Sequence, residues 1–286
     1  MLPSSELVLR ADGSLYHLGI RSEHVADNVI IVGDPERVSM ISDMFDELRF
    51  ALSSREFVVH TGTYAGKEIT VISSGIGVDN IDIVINELDA AVNIDLANRT
   101  ILPVLRSLRI VRIGTCGTMQ GDVPVGSVVA SRYAFALDGV AHSYNPVLDE
   151  EEGALMQALQ SDFDWLQGHR GLYAASADPE LFAQMASDAI VGITATANGF
   201  YGPQGRSLRM LSNMEDRLDQ YAAFRFKGIP IANLEMECAG IYALSSLLGH
   251  RATTLCLILA NRITKEFHKD PSASMQTLIR QVLERF

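Results

Sequence analysis

Short runs of apolar and β-branched residues alternate along this chain with longer stretches whose apolar residues recur at helical spacing. The short runs are typical of strands, several of them buried on both faces, and the longer stretches are typical of amphipathic helices. Strands that alternate with helices favour a sheet whose strands are joined by helical crossovers. The pattern therefore predicts an α/β fold, a three-layer α/β/α architecture with a central mixed, largely parallel twisted sheet.

The predicted strands are Val29 to Val32, Phe57 to His60, Ile69 to Ser73, Ile110 to Ile113, Val128 to Ser131, Ile190 to Thr196, Ile229 to Asn233 and Thr253 to Ala260. The predicted helices are Arg37 to Phe45, Asn80 to Val92, Glu151 to Leu159, Glu215 to Phe226, Glu237 to Leu248 and Ser272 to Glu284. One clear hairpin is predicted around Ala65-Gly66-Lys67.

The chain has 286 residues, of which 48% are hydrophobic, and no break in composition divides it. We therefore expect a single domain over residues 1–286 with a large buried core. In open α/β sheets ligands bind beyond the carboxyl ends of strands. The motifs at predicted strand ends are thus the places where chemistry is expected.

The formal net charge of −12 argues against broad binding to nucleic acid or to an anionic membrane, because both need a concentrated cationic surface. No apolar run reaches membrane-spanning length. An acidic protein that binds an anion must do so locally, with few cationic groups. The position of each arginine is therefore informative.

The compartment is predicted from the N-terminal segment and the cysteines. Charged residues interrupt the segment from Met1 to His17, which is unlike a secretory signal. Cys116, Cys238 and Cys256 are odd in number and lie in apolar or glycine-rich segments, which is typical of reduced thiols. A cytoplasmic location is expected, and no metal site is predicted.

The first motif is the strand that runs into Gly33 and then into a helix carrying Arg37. A glycine there lets backbone N–H groups approach a phosphate oxygen, and the first helical turn adds free N–H groups and its dipole. Arg37 is placed to pair with the same anion. The alternative is a plain strand-to-helix turn with Asp34 as N-cap and Pro35 at the first helical position.

The second motif places Arg112 inside a strand that is otherwise apolar, directly before Gly114-Thr115-Cys116-Gly117. A charge in such a strand needs a partner. Pairing with an internal carboxylate is one interpretation. Binding of an oxyanion and a sugar at the strand end, helped by the Thr115 hydroxyl, is the other.

The third and fourth motifs are Arg55, at the mouth of the hairpin, and the loop from Asn198 to Arg206. Arg55 taken alone is typical of a solvated surface residue. The loop offers Phe200, Gln204 and Arg206, a set that can stack on a planar base and bond its edge. An ordinary turn rich in glycine and proline remains the alternative.

The fifth motif is Glu235-Met236-Glu237, between a strand and a helix. In extended geometry the two carboxylates project to the same side. They can accept hydrogen bonds from vicinal hydroxyls such as those of ribose. A helix start that uses Glu237 to complement its dipole is the alternative.

Taken together and in this order, the motifs resemble the nucleoside phosphorylases of the uridine phosphorylase type, from His17 to the last helix. The resemblance implies an enzyme of pyrimidine salvage, a pentosyltransferase that uses inorganic phosphate as co-substrate and needs no cofactor. Its phosphate site falls on Gly33, Arg37, Arg112 and Thr115, with Arg55 donated across a dimer interface.

The resemblance also implies the ribose and base sites. The ribose site falls on Thr115, Glu235, Met236 and Glu237, with His17 supplied by the neighbouring subunit. The base site falls on Cys116, Gly117, Phe200, Gln204 and Arg206. Gln204, Arg206, Arg112 and Glu237 are the expected catalytic residues, because they hold the phosphate, the sugar and the departing base.

Three alternatives to uridine phosphorolysis stay open: a purine nucleoside phosphorylase, a nucleosidase on the same fold and a non-catalytic nucleoside-binding protein. Related purine enzymes place an aspartate late in the chain, whereas the stretch from Leu257 to Arg262 has no carboxylate. The chain departs from the family at Cys116, at Gly202-Pro203 and after Gly77. Thymidine as substrate, a monovalent cation near Glu56 and assembly of dimers into a hexamer therefore stay open as well.

Overall fold

The computed structural model describes residues 1–286. Its strands are β1 (Asn28–Val32), β2 (Glu47–Ser54), β3 (Phe57–Tyr64), β4 (Lys67–Ser73), β5 (Ile94–Asp95), β6 (Thr100–Ile101), β7 (Arg109–Thr118), β8 (Val128–Ala136), β9 (Tyr173–Ser176), β10 (Ile190–Thr196), β11 (Arg225–Phe226), β12 (Ile229–Glu235) and β13 (Arg251–Asn261). Its α-helices are α1 (Pro35–Ser42), α2 (Val78–Asn93), α3 (Glu150–Asp162), α4 (Pro179–Met185), α5 (Glu215–Ala223), α6 (Cys238–Leu247) and α7 (Pro271–Arg285).

Eleven strands form one sheet, in the order β11-β12-β10-β8-β13-β7-β1-β4-β3-β2, with β9 beside β8. Two blocks of parallel strands make up its centre, β4-β1-β7-β13 and β8-β10-β12. The blocks meet where β13 pairs antiparallel with β8. The predicted mixed, largely parallel sheet is confirmed.

The sheet also closes on itself. At its carboxyl end β7 pairs antiparallel with β12, Gly117 opposite Leu234 and Thr118 opposite Asn233. Five strands, β12-β10-β8-β13-β7, therefore form a ring. This closure, which no local pattern indicates, brings the ends of two strands distant in sequence into contact.

Helices cover both faces of the sheet, and β1 shows why. Its successive side chains point to opposite faces, so that Val29 and Ile31 join the apolar core under α2 and α6. Ile30 and Val32 join the core under α1, α4 and α7. A third apolar cluster lies under α3 and α5. The predicted three layers are confirmed; none of the helices combines the length and the apolar character needed to cross a membrane.

All predicted strands and helices are present, with bounds shifted by a few residues. The helix predicted to reach Phe226 ends at Ala223, because Arg225 and Phe226 pair with β12. Glu237 is the N-cap of α6 rather than its first residue. The predicted hairpin joins β3 to β4.

The sequence patterns missed β2, β9 and α4. The strand β2 pairs only with β3 at the edge of the sheet, and its side chains are mostly exposed, so it lacks an apolar signature. The stretch from Asn93 to Leu108, for which the sequence indicates no role, contains the small β5–β6 hairpin. From it Arg99 donates to the backbone carbonyls of Leu2, Pro3 and Leu7 and so anchors the N-terminal segment.

Candidate active site

One cavity of about 770 Å³ collects nearly all of the predicted site residues. Those that line it are Gly33, Arg37, Arg112, Thr115, Cys116, Gly117, Phe200, Gln204, Arg206, Glu235, Met236 and Glu237. His17 and Arg55 do not. A second cavity of about 720 Å³ lies behind the loop from Asn198 to Arg206 and contains none of them.

The site lies where strand ends converge. The parallel strands β1, β7 and β13 end at one edge of the sheet, which places Gly33, Thr115 and Ala260 around the same space. The pairing of β7 with β12 adds Glu235 and the two residues after it. The position agrees with the expectation for open α/β sheets.

Arg112 is the most constrained charge in the site. Its side chain is 5% exposed, and its Nη2 pairs with Glu237 and lies 3.2 Å from Oε2 of Glu235. Its Nη1 donates to the sulfur of Cys256 at 3.0 Å. Burial alone would lower the pKa of Arg112, but the surrounding acidic groups raise it well above the usual value. The internal pairing of Arg112 is confirmed. Because Arg112 also lines the cavity, its binding of an oxyanion stays a prediction.

Gly114 provides the space that the Arg112 guanidinium occupies. A Cβ at this position would lie 2.0 Å from Nη1 of Arg112 and 2.9 Å from the sulfur of Cys256. The backbone of Gly114 is not in the left-handed region, so the requirement for glycine is steric. Glycine is needed here for the arginine and not for the turn.

Arg37 reaches the same cavity from α1. Asp34 caps this helix by accepting from the Glu36 N–H at 2.9 Å, and Pro35 is its first residue. The half-buried Arg37 side chain donates to the carbonyl of Ile113 at 3.3 Å. Burial lowers its pKa, and the nearby charge of Arg112 acts in the same direction. Arg112 in the same cavity is paired with two carboxylates, whereas Arg37 makes no ion pair and is the cation left for an anion.

The two carboxylates of the fifth motif differ in their free capacity. Glu235 accepts from the hydroxyl of Thr196 at 2.6 Å, from the N–H groups of Glu237 and Cys238 at 2.8 and 2.9 Å, and contacts Arg112. Three of these contacts fall on Oε2, whereas Oε1 accepts only from Thr196, so one lone pair of Oε1 is left. The ribose contact expected from Glu235 stays a prediction.

Glu237 keeps acceptor capacity toward the cavity. One of its oxygens accepts from the N–H of Gly77 at 2.7 Å, and the other pairs with Arg112. One further lone pair remains on each oxygen. With one lone pair left on each oxygen, Glu237 has more free capacity than Glu235 to accept from a sugar diol.

The loop from Asn198 to Arg206 forms the opposite wall. Arg206 donates to Oε1 of Gln204 and to the carbonyl of Phe200, both at 2.7 Å, and its guanidinium lies 3.9 Å from the centre of the Phe200 ring. Burial and the charge of Arg262 lower the pKa of Arg206 to about 10, which leaves it charged at neutral pH. The loop thus presents a fixed cation beside an amide and an aromatic ring.

Arg262 holds this loop in place, and sequence reasoning missed that role. Its guanidinium donates to the carbonyls of Gln204 and Gly205 at 2.8 and 3.0 Å. The sequence does show Arg262 as a charged residue just after a buried strand. Its partners are backbone carbonyls of a distant loop, however, and these have no sequence signature.

His17 and Arg55 form a separate cluster with Tyr16 and Glu87. The Arg55 guanidinium lies 5.3 Å from the centre of the Tyr16 ring, which packs edge-on against His17. Glu87 of α2 accepts from the backbone N–H groups of His17 and Leu18 and lies 2.6 Å from Nδ1 of His17. The histidine loop is thus rigidly held, and Nε2 of His17 is the ring nitrogen left for a ligand.

The comparisons with known proteins agree with this geometry. Residues 27–286 match the family model described as the Phosphorylase superfamily. The chain is 31% identical over 279 residues to the uridine phosphorylase of Thermococcus kodakarensis, covering 93% of this chain and 84% of that protein. It is 26% identical over 276 residues to the DeoD-type purine nucleoside phosphorylase of Colwellia psychrerythraea, covering 94% and 95%.

A solved structure gives a three-dimensional comparison. It is a Trypanosoma brucei nucleoside phosphorylase described as showing uridine phosphorylase activity, and it superimposes with a TM-score of 0.87. The sequence identity is 28%, and 98% of each chain is covered. The architecture is therefore shared over the whole chain.

Replacing Gly114 with alanine is expected to displace the Arg112 guanidinium, because the new methyl group would occupy its position. Disturbing a buried ion pair costs about 3–5 kcal/mol when one partner is lost, which is the upper bound here. We expect a lower melting temperature and a smaller rise in melting temperature on addition of inorganic phosphate than in the unaltered protein.

The matched control is Gly153→Ala in α3, where a Cβ meets nothing within 4 Å. This variant should keep both the stability and the response to phosphate. Differential scanning fluorimetry with and without phosphate measures both. An unaltered response to phosphate in Gly114→Ala would contradict the role given to Gly114.

Proposed function

The chain belongs to the Phosphorylase superfamily, and we propose that it is a uridine phosphorylase, a pentosyltransferase that converts uridine and inorganic phosphate into uracil and ribose 1-phosphate. The observation that carries the proposal is the single cavity in which Arg37, Arg112, Glu237 and the pair Gln204 and Arg206 meet. Groups that can bind an anion, accept hydrogen bonds from the ribose hydroxyls and bond the edge of a base therefore lie next to one another.

Phosphate is the co-substrate that fits the cationic end. Arg37 and Arg112 share this end of the cavity with Gly33 and Thr115, in a protein whose net charge is otherwise −12. The first turn of α1 adds no free N–H group there, because Pro35 has none and the N–H groups of Glu36 and Arg37 bond to Asp34. A hydrolase has no anion to hold, so this arrangement favours phosphorolysis over hydrolysis. No cofactor is needed for the reaction.

The reaction follows from these positions. A phosphate oxygen attacks the anomeric carbon from the face opposite the base, while Glu237 accepts from the ribose hydroxyls. The bond from the anomeric carbon to the base nitrogen breaks, and its electron pair stays on the uracil. Arg206 and Gln204 stabilise that charge, and the base then takes up a proton. Fixed donors directed at developing charge typically supply the largest electrostatic contribution to catalysis.

The base end supports a pyrimidine rather than a purine. Gln204 keeps its amide N–H group and one lone pair of Oε1 available for the edge of uracil. In the late stretch where purine enzymes place an aspartate, Asn261 is buried and donates to the carbonyls of Gln120 and Val123. Its Oδ1 accepts from the N–H groups of Ile263 and Thr264. Asn261 is thus a structural residue without free groups for a purine.

Two copies of the chain complete the site in this proposal. His17 and Arg55 are held in a cluster outside their own cavity, yet Glu56, the next residue after Arg55, lines that cavity. A dimer in which each copy supplies His17 and Arg55 to its partner accounts for this. We place the enzyme in pyrimidine salvage. We also place it in the cytoplasm, a compartment with which its three free, buried cysteines agree.

A substrate panel tests the proposal directly. With uridine, thymidine, inosine and adenosine, each with and without phosphate, we expect release of uracil from uridine only when phosphate is present. Base release without phosphate would indicate a nucleosidase, and preference for inosine or adenosine would indicate a purine enzyme. Binding of uridine with no turnover would indicate a nucleoside sensor. Chromatography of the free bases separates all four outcomes.

Arg206→Ala is expected to lower turnover at saturating uridine by roughly 10²–10³-fold, the usual effect of removing one donor to a developing charge. The fold should survive, because Arg206 lies in a loop at the surface of the cavity. The matched control is Arg209→Ala, an exposed arginine of the following segment, which should keep full turnover. Full turnover in Arg206→Ala would remove this residue from the mechanism.

Mixing two inactive variants, His17→Ala and Glu237→Ala, is expected to restore part of the activity. A hybrid dimer would contain one site with both residues intact. A mixture of Arg206→Ala and Glu237→Ala serves as the control, because both residues line the same cavity and no intact site can form. Steady-state assays after subunit exchange provide the measurement. No recovery in the first mixture, despite proven exchange, would show that each site is built from one chain.

A further inference from the structure

We propose that Cys256 is a positioning residue for phosphate, because its sulfur holds the second nitrogen of the Arg112 guanidinium and so directs this group toward the anion. The inference rests on the proposed function, which it deepens. Sequence reasoning placed Cys256 only among the reduced thiols. Its place in the structure is at the anion end of the cavity wall, behind Arg112.

The first argument is the packing around the guanidinium. Cys256 lies on β13 directly opposite Gly114 of β7, and it is fully buried. The missing side chain of Gly114 leaves the gap into which Arg112 folds, and the Cys256 sulfur closes that gap at 3.0 Å from Nη1. The two carboxylates contact the other nitrogen, Nη2. Cys256 is thus the opposing contact that fixes the rotation of the guanidinium plane.

The second argument is the setting of the sulfur. Cys116 is buried beside Cys256 in the same small apolar cluster, and the Cys116 thiol and the charge of Arg112 lower the pKa of Cys256. A lowered pKa favours the form of the sulfur that accepts from the Arg112 guanidinium.

The test compares three variants in the intact enzyme. Cys256→Ala removes the acceptor and should raise the KM for phosphate roughly tenfold, the size expected for losing one hydrogen bond to a charged group. The KM for uridine should rise much less than the KM for phosphate, because Nη2 of Arg112 and the N–H of Gly77 still hold Glu237 in the variant. Cys256→Ser keeps an acceptor at the same place and should recover most of the phosphate affinity.

Val129→Ala is the matched control. Val129 pairs directly with Cys256 across β8 and β13 and belongs to the same small apolar cluster, so its truncation loosens the same region without touching Arg112. It should leave the KM for phosphate unchanged. An unchanged KM in folded Cys256→Ala, an equal rise in Val129→Ala, or a Cys256→Ser variant as impaired as Cys256→Ala would each overturn the inference.

A binding measurement separates this inference from the proposed function. The shift in melting temperature caused by inorganic phosphate alone requires no uridine. If the unaltered protein shows that shift and Cys256→Ala loses it, Cys256 positions Arg112 even if uridine proves not to be the substrate. If uridine is phosphorolysed and Cys256→Ala keeps both the shift and the KM, the inference fails while the function stands.

Discussion

The buried charge of Arg112 and the acidic groups around it are the interaction on which the site depends. An arginine in the centre of a sheet is tolerated only when its charge is compensated, and here Glu235 and Glu237 compensate it. One oxygen of Glu237 pairs with Arg112, and the other accepts from the N–H of Gly77. These two contacts fix the orientation of Glu237 in the cavity wall. One ion-pair cluster therefore stabilises the fold and arranges both the anion end and the sugar end of the cavity.

Closure of the strand ring makes that cluster possible. Arg112 and the two glutamates are separated by more than a hundred residues, and they meet because the ends of β7 and β12 pair. Glu235 then acts as the anchor, accepting from the backbone at the start of α6 and from Thr196 of β10. Its burial raises its pKa even though Arg112 lies beside it. A carboxylate in this setting is better suited to holding neighbours in place than to exchanging ligands.

The anion end and the base end of the site differ in how they are held in place. The anion end consists of the ends of buried strands and the start of α1, which belong to the packed sheet and its covering helix. The base end is a loop secured at two carbonyls by Arg262 and stacked internally through Phe200 and Arg206. In the proposed reaction phosphate needs a fixed position, whereas the nucleoside must enter and leave past this loop.

Much of this architecture was accessible from residues near one another in the chain. Alternating patterns predicted the long strands and the layers, because burial on two faces leaves a periodic apolar record, and Arg112 was conspicuous as a charge in an apolar strand. The edge strand β2 was not predicted, because its mostly exposed side chains need not follow an apolar pattern. Glu87 under His17, Arg262 under the base loop and Cys256 behind Arg112 also escaped. Their roles consist of contacts with partners far along the chain, and only the folded sheet brings those partners within hydrogen-bonding distance.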